Sequence, residues 1–170
     1  IFHLAAQPLV LDAYVESYDT FSTNVMGVVN LFEAIKDCEA KPTIINVTTD
    51  KVYENKGRVW AYRENDRLGG NDPYSASKAC SEIITNCYFQ SFFKDKGILT
   101  ASARAGNVIG GGDMSKNRLV PDFLRSLESK QSVLIRNPEA IRPWQHVLEP
   151  LSGYLILAQE LASSNGHQFT

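Results

Sequence analysis

The sequence predicts an α/β fold: half of a doubly wound parallel sheet, followed by the start of a smaller lobe. Three observations predict it. Short apolar runs at 1–5, 43–48 and 98–105 are bounded by turn residues, as buried parallel strands are. Helical periodicity fills both intervals between these runs. Each interval is long enough for a crossover connection, which in a parallel sheet is right-handed.

Taken in order, the first strand begins at Ile1 and closes on His3-Leu-Ala-Ala-Gln7. The helix after it carries Phe21, Val25, Val28, Phe32 and Ile35, alternately four and three apart, which makes one apolar stripe. Asn24 falls on a face away from that stripe, and Pro42 marks the end of the helix. The second strand runs into Thr48-Thr49-Asp50-Lys51-Val52-Tyr53. Residues 54–72 form the longest stretch without periodicity, and connections that long are often functional. Asp72-Pro73 opens the next helix, since aspartate caps and proline suits the first turn. That helix extends to about residue 94, where Gly97 breaks it.

After Arg104 the character changes, so residues 1–105 and 106–170 are read as two regions. Glycines and polar residues fill 106–118. Gly110-Gly111-Gly112 has no helical pattern behind it and reads as a loop near substrate, not as a dinucleotide loop. A short helix at about 121–130 is expected to turn Phe123, Leu124 and Leu127 inward. A short strand is expected at 133–136. Leu151, Tyr154, Leu155, Ala158 and Leu161 outline a final amphipathic helix.

A chain of 170 residues with a net charge of -2 gives no reason to expect nucleic-acid or anionic-membrane partners. No apolar run reaches the length that spans a membrane, and no signal segment precedes the body. The three cysteines, Cys38, Cys80 and Cys87, lack metal or redox spacing. They read as buried free thiols in a reducing, cytoplasmic compartment, with Cys80 and Cys87 packed beside Ile83 and Ile84. His3, His146 and His167 are scattered, so no metal site is expected. The start inside a strand reads as an internal piece of a longer chain. A doubly wound sheet that binds a dinucleotide needs an earlier glycine-rich turn for the pyrophosphate, so the piece alone is expected to be inactive.

Two segments carry the chemistry. Tyr74 and Lys78 are four apart and share a helical face. A nearby ammonium favours a phenolate, so a tyrosine beside a lysine can take a proton from an alcohol near neutral pH. Thr49, at a strand end, supplies a hydroxyl that can hold the same alcohol. Together these are the parts of an alcohol-oxidation site that uses a nicotinamide cofactor.

Thr48-Thr49-Asp50-Lys51-Val52-Tyr53, Tyr74-Ser-Ala-Ser-Lys78 and His3-Leu-Ala-Ala-Gln7 together resemble the extended short-chain dehydrogenase/reductase family. Further segments resemble its CDP-glucose 4,6-dehydratases: 62–66, 68–73, Arg104-Ala-Gly-Asn-Val-Ile-Gly-Gly-Gly-Asp113 and Ile141-Arg-Pro-Trp-Gln-His-Val147. The resemblance runs from Ile1 to about residue 161. It implies a Rossmann-like doubly wound parallel sheet, NAD as cofactor, CDP-glucose as substrate and a homodimer. Phe89, Phe92 and Phe93 are expected at the dimer seam.

The resemblance also implies roles. Tyr74 is the base for the C4 hydroxyl of the sugar, Thr49 holds that hydroxyl, and Lys78 holds the cofactor ribose and lowers the tyrosine pKa. Asp50 protonates the departing C6 oxygen; its alternative is a loop or cap carboxylate. Lys51 stands where dTDP-sugar dehydratases carry a glutamate base. It serves as a base of lowered pKa, as a cation beside the enolate, or as a solvated lysine. Ala5, Ala6 and Gln7 would lie along the cofactor, although the two alanines serve packing as well. Asn24 is a structural or water-binding asparagine near the cofactor. Asn107, Arg118 and Arg142 are candidates for the substrate diphosphate, with a surface role the alternative for Arg118. His146 contacts the nucleotide or packs beside Trp144. Arg104 is an ion-pair residue or a ligand. Two other readings stay open: a nucleotide-sugar epimerase or reductase of the same fold, and a non-catalytic nucleotide-sugar-binding relic.

Overall fold

The computed structural model describes residues 1–163; His167 and the rest of the stretch after 163 lie outside the described residues. The sheet is built around β2 (Thr43–Val47), whose Ile44 and Ile45 are both fully buried and face opposite sides. β1 (Phe2–His3) and β3 (Leu99–Ala103) flank it in parallel, in the order β1-β2-β3. His3 pairs with Asn46, and Val47 with Ala103.

Helices cover both faces. Ile44 packs with Val28, Phe32, Phe93 and Ile98 on one side. Ile45 packs with Ala103, Ala105, Tyr154 and Leu161 on the other. Phe32 and Phe93 are wholly buried and meet edge-on, 5.4 Å apart. Burying such a side chain contributes roughly 1.5–3 kcal/mol, which makes this cluster the principal apolar anchor of the first face. The final helix, α6 (Leu148–Ser163), lies on the second face through Tyr154 and Leu161, while Leu151 and Leu155 stay exposed.

Several expectations change. The first strand is short, and Ile1 and Phe2 are exposed, because β1 is an edge with no further strand beside it among the described residues. The helix expected after it is divided into α1 (Val10–Val15), α2 (Ser17–Phe21) and α3 (Gly27–Lys36). A π turn at Ser22–Met26 joins α2 to α3. The wider turn breaks the 3–4 spacing. Phe21 is left exposed, and Asn24 is buried, not turned away from the core. Residues 133–136 form no strand. Instead β4 (Asn107–Ile109) pairs in parallel with β5 (Trp144–His146). α5 (Leu119–Ser129) exposes Phe123, Leu124 and Leu127 and buries Pro121, so its apolar side does not face inward. Cys38 and Cys87 are exposed and Cys80 is half-buried; none is a core thiol.

Helix α4 (Pro73–Tyr88) begins as expected. Asp72 caps it: Ser75 N–H donates to Asp72 Oδ1 at 3.0 Å, and Asp72 N–H donates to Ser75 Oγ at 3.2 Å. A second π turn and a short 3-10 turn continue it to Gly97, whose φ of 70° lies in the left-handed region that glycine accepts. Phe89 and Phe93 belong to the core, and only Phe92 of the three phenylalanines faces outward. Among the described residues no helix is long and apolar enough to cross a membrane.

Gly70 sets how closely the preceding loop approaches α4. A Cβ there would lie 2.3 Å from Ala76 N and 2.4 Å from the Ser75 carbonyl carbon. Backbone on both sides leaves nothing flexible to yield. Gly70→Ala should therefore destabilise the folded protein by roughly 1–3 kcal/mol, in the range of overpacked sites. Denaturant titration of both proteins measures this, and an unchanged midpoint would mean that the loop moves aside freely.

Candidate active site

The carboxyl end of β2 sets the site. Thr48 N–H donates to Ala103 O at 2.7 Å and Asp50 N–H to Ala105 O at 2.9 Å, so the chain past β2 is tied to the chain past β3. Asp50–Val52 form a single 3-10 turn with Thr49 at its N-cap. α4 packs beneath with Tyr74 and Lys78 buried, as their spacing on one helical face predicts.

A cleft of about 730 Å³ opens above this end of the sheet. Thr49, Lys51, Tyr74, Asn107, Arg118 and Arg142 all line it. Six of the residues singled out from sequence thus converge on one space. Lys51 Nζ sits 5.9 Å from the centre of the Tyr74 ring. Arg118 donates to Asp113 Oδ2 at 3.0 Å. Arg142 is exposed, and its guanidinium donates only to the neighbouring Ile141 O, at 2.8 Å, among the described contacts. Asp50 is half-buried just behind the wall, where its Oδ1 accepts the Thr49 hydroxyl at 3.2 Å. Gly110-Gly111-Gly112 is flanked by the wall residues Ile109 and Asp113. His146 is off the wall: it is exposed, and its Nδ1 accepts Leu148 N–H at 3.3 Å.

Sequence reasoning gave no role to the wall residues Lys116, Arg136 and Trp144. Lys116 and Arg136 lie in stretches without periodicity, and Arg136 was expected on a strand. Its Nη2 instead donates to Asn117 O at 3.0 Å, which draws 133–137 onto the cleft.

The electrostatics differ from expectation. Burial pushes the Tyr74 phenol above its ordinary value; the Thr49 hydroxyl and the Arg118 charge oppose this, while Asp50 and Asp72 add to it. Lys78 does not depress the tyrosine, because its ammonium donates to Val47 O at 3.0 Å, under the strand. Burial brings Lys78 itself down from 10.5 to about 8, with the Glu82 carboxylate working the other way. An ammonium has three donors, so Lys78 keeps capacity for a further acceptor.

Past the end of β1, Gln7 N–H donates to Asn24 Oδ1 at 2.8 Å, and Asn24 Nδ2 donates to Gln7 O at 3.1 Å and to Ser77 Oγ at 2.9 Å. Asn24 therefore clamps the loop after β1 onto α4, a structural task. Ala5 is exposed and Ala6 half-exposed at the sheet edge, where small side chains leave room for a flat ligand. His3 Nε2 is buried without a hydrogen-bond partner. Burial and then the Lys78 charge lower the His3 pKa. Exposed small residues, an under-used buried ammonium and an unpartnered imidazole nitrogen suit a polar ligand such as a dinucleotide ribose. Arg104 is an ion-pair residue, held by Glu82. Among the described residues no group of three or more His, Cys, Asp or Glu is placed to hold a metal.

The buried lysine has a measurable consequence. Between about pH 8 and 10.5 the unfolded chain binds more protons at Lys78 than the folded one. This group's contribution therefore rises with pH across that window; below it, the buried charge is a constant cost. NMR of Cε-labelled lysine should show one residue titrating near 8, lost in Lys78→Met. A midpoint at or above 10 would contradict the burial argument.

The chain is similar to known proteins along its whole length. Residues 1–170 match the NAD dependent epimerase/dehydratase family. The chain is 54% identical over 166 residues to a CDP-glucose 4,6-dehydratase of Salmonella typhimurium, which covers 95% of this chain and 46% of that protein. A crystal structure of dTDP-glucose 4,6-dehydratase from Streptomyces venezuelae, with NAD bound, superposes with a TM-score of 0.82 at 26% identity, over 93% of this chain and 48% of the other. The Bacillus anthracis dTDP-glucose 4,6-dehydratase, in complex with NAD, gives 0.79 at 25% identity, over 94% and 47%. The chain spans about half the length of the curated relatives it matches. The architecture is thus the Rossmann-like sheet that the sequence predicts, and the chain belongs to the NAD dependent epimerase/dehydratase family.

Proposed function

We propose that the full-length protein is an NAD-dependent CDP-glucose 4,6-dehydratase, a lyase in deoxysugar biosynthesis. The observation that carries this reading is the Thr49–Asp50–Lys51 turn set against Tyr74 beside one cleft. The 54% identity to the Salmonella typhimurium protein supports the choice of nucleotide. Residues 1–105 serve the cofactor side and the region after 105 the nucleotide side.

NAD, when bound, would supply the hydride chemistry, as acceptor from C4 of the hexose and donor at C6. Lys78, Tyr74, Ala5, Ala6 and Gln7 would hold it, with Asn24 fixing the loop that carries Gln7. Thr49 orients the C4 hydroxyl and Tyr74 takes its proton. With its phenol raised by burial, which the Arg118 charge offsets only in part, Tyr74 needs further positive charge beside it. Lys78 meets that need if it gives up the Val47 carbonyl for a ribose hydroxyl. The resulting C4 ketone acidifies the C5 proton. Lys51, on the cleft wall, takes that proton as a neutral amine, stabilises the enolate as the ammonium so formed, and returns the proton to C5 when the hydride comes back at C6. Asp50 protonates the departing C6 oxygen. Arg118 and Arg142 take the diphosphate through guanidinium forks, Asn107 supplies an amide, and Lys116 and Arg136 add positive charge. His146, off the cleft wall, has no role in this scheme.

The protein is proposed to work as a cytoplasmic homodimer. Tyr14, Tyr18 and Phe21 from α1 and α2, with Ile83 and Phe92 from α4 and its extension, are exposed apolar surface. Aromatic anchors of this kind are frequent in interfaces. Sedimentation as a monomer at micromolar concentration would count against the pairing.

Incubation of the full-length protein with CDP-glucose should give a 4-keto product that absorbs in alkali; no such product sinks the reading. Tyr74→Phe should abolish hydride transfer from C4. Asp50→Asn should leave that transfer partly intact and slow the loss of water by ~10²–10⁴-fold, the usual worth of a general acid. In a single turnover the Asn variant should accumulate absorbance of reduced nicotinamide and the Phe variant should not. Dehydration at the wild-type rate in Asp50→Asn would make Asp50 a capping residue.

A further inference from the structure

The turn that carries Thr49, Asp50 and Lys51 is tied to its neighbours by Asp50 N–H on Ala105 O at 2.9 Å and Gly69 N–H on Val52 O at 2.7 Å, but it is only weakly closed within itself. Val52 N–H reaches Thr49 O at 3.3 Å, and Lys51 N–H reaches Thr49 Oγ1 at 3.4 Å. Both exceed the range of about 2.7–3.2 Å usual for such bonds. Arg104, just past β3, grips the chain on both sides of this turn.

On the upstream side, Arg104 Nε donates to Glu82 Oε1 and Oε2 at 2.9 and 3.1 Å, and Nη2 donates to Oε2 at 2.5 Å. Glu82 is buried on α4, and its Oε1 accepts the Thr48 hydroxyl at 2.6 Å. On the downstream side, the Arg104 guanidinium lies 4.6 Å over the Tyr53 ring. Tyr53 stacks on Tyr62 at 4.9 Å with 21° between the planes, and Arg58 lies 4.2 Å over Tyr62. Arg104 Nη1 also donates to Glu64 O at 3.0 Å. The stack closes the 53–66 loop, and Arg58 pairs with Asp66 to hold it. Neither Arg104 nor Tyr53 lines the cleft.

We infer that Arg104 and Tyr53 are positioning residues of the reaction centre. They brace the Thr49–Asp50–Lys51 turn from residue 48 on one side and residue 53 on the other. Arginine suits the task, since its planar fork takes a carboxylate bidentately while its face stacks on a ring. The chemical part of this inference rests on the dehydratase reading; the geometric part does not.

The test uses the full-length protein. Arg104→Met strands the buried Glu82 carboxylate and risks unfolding, so Tyr53→Leu and Tyr53→Phe are the informative variants, since both keep the Arg104–Glu82 pair. Tyr53→Leu should lower kcat roughly tenfold or more while KM for CDP-glucose stays within about twofold, as expected when reacting groups are displaced by less than an ångström. Tyr53→Phe keeps the ring and should restore kcat. Hydrogen exchange should rise in Tyr53→Leu at amides 50–53 and in 54–68, with protection at 43–47 unchanged. An unchanged kcat overturns the inference, and so does exchange that rises equally in β2. If the wild-type protein does not convert CDP-glucose, the dehydratase reading fails by itself. The exchange pattern then decides: local loosening supports the brace, and unchanged or uniform exchange refutes it.

Discussion

Helix α4 docks on the sheet with hydrogen-bonding side chains, not with an apolar face, and the rest of the site depends on that contact. Lys78 meets the Val47 carbonyl, Ser81 and Thr85 meet the Asn46 amide, and Glu82 meets the Thr48 hydroxyl. A buried polar group left without its partner costs about 1–3 kcal/mol, so each of these bonds penalises a shift of α4 along the sheet. An apolar face would tolerate sliding. This one fixes the height of Tyr74 relative to Thr49. The apolar cluster around Phe32 and Phe93 lies at the far end of the same face and anchors the helix without setting its register.

The same contact explains the charges. A lysine placed under a strand end with one carbonyl partner is expensive to keep protonated, and its amine falls to about 8. The tyrosine one turn earlier is buried, the Thr49 hydroxyl and the Arg118 charge offset that burial only in part, and its phenol rises. Neither group has the protonation balance that alcohol oxidation needs. A ligand that draws the Lys78 ammonium toward Tyr74 would correct both at once; in the proposed reaction that would couple cofactor binding to activation of the base.

The periodic parts of this chain were legible in the sequence. The three parallel strands, the Asp72–Pro73 helix start and the pairing of Thr49 with Tyr74 follow from short apolar runs, caps and motif spacing, whereas Asn107, Arg118 and Arg142 are candidates through the family resemblance. What failed did so for identifiable reasons. The π turn at Ser22–Met26 adds no residue type that marks it, yet it breaks the apolar stripe and buries Asn24. Residues 133–136 are apolar enough for a strand, but β4 takes β5 as its partner, and a strand without a partner does not form. Arg104 offered two readings that composition could not separate; only the placement of Glu82 across α4 decides between them. Lys116 and Arg136 reach the cleft through loop geometry that no local pattern encodes, and Trp144 reaches it through the pairing of β5 with β4.

The central claim is that a hydride leaves C4 and returns to C6 of the same sugar within one site. CDP-glucose carrying deuterium at C4 tests it most directly, with the full-length protein and product analysis by NMR. The account predicts a 4-keto-6-deoxy product with the deuterium on its C6 methyl group. Deuterium returned to C4 of an epimerised hexose, or released to solvent, would contradict it.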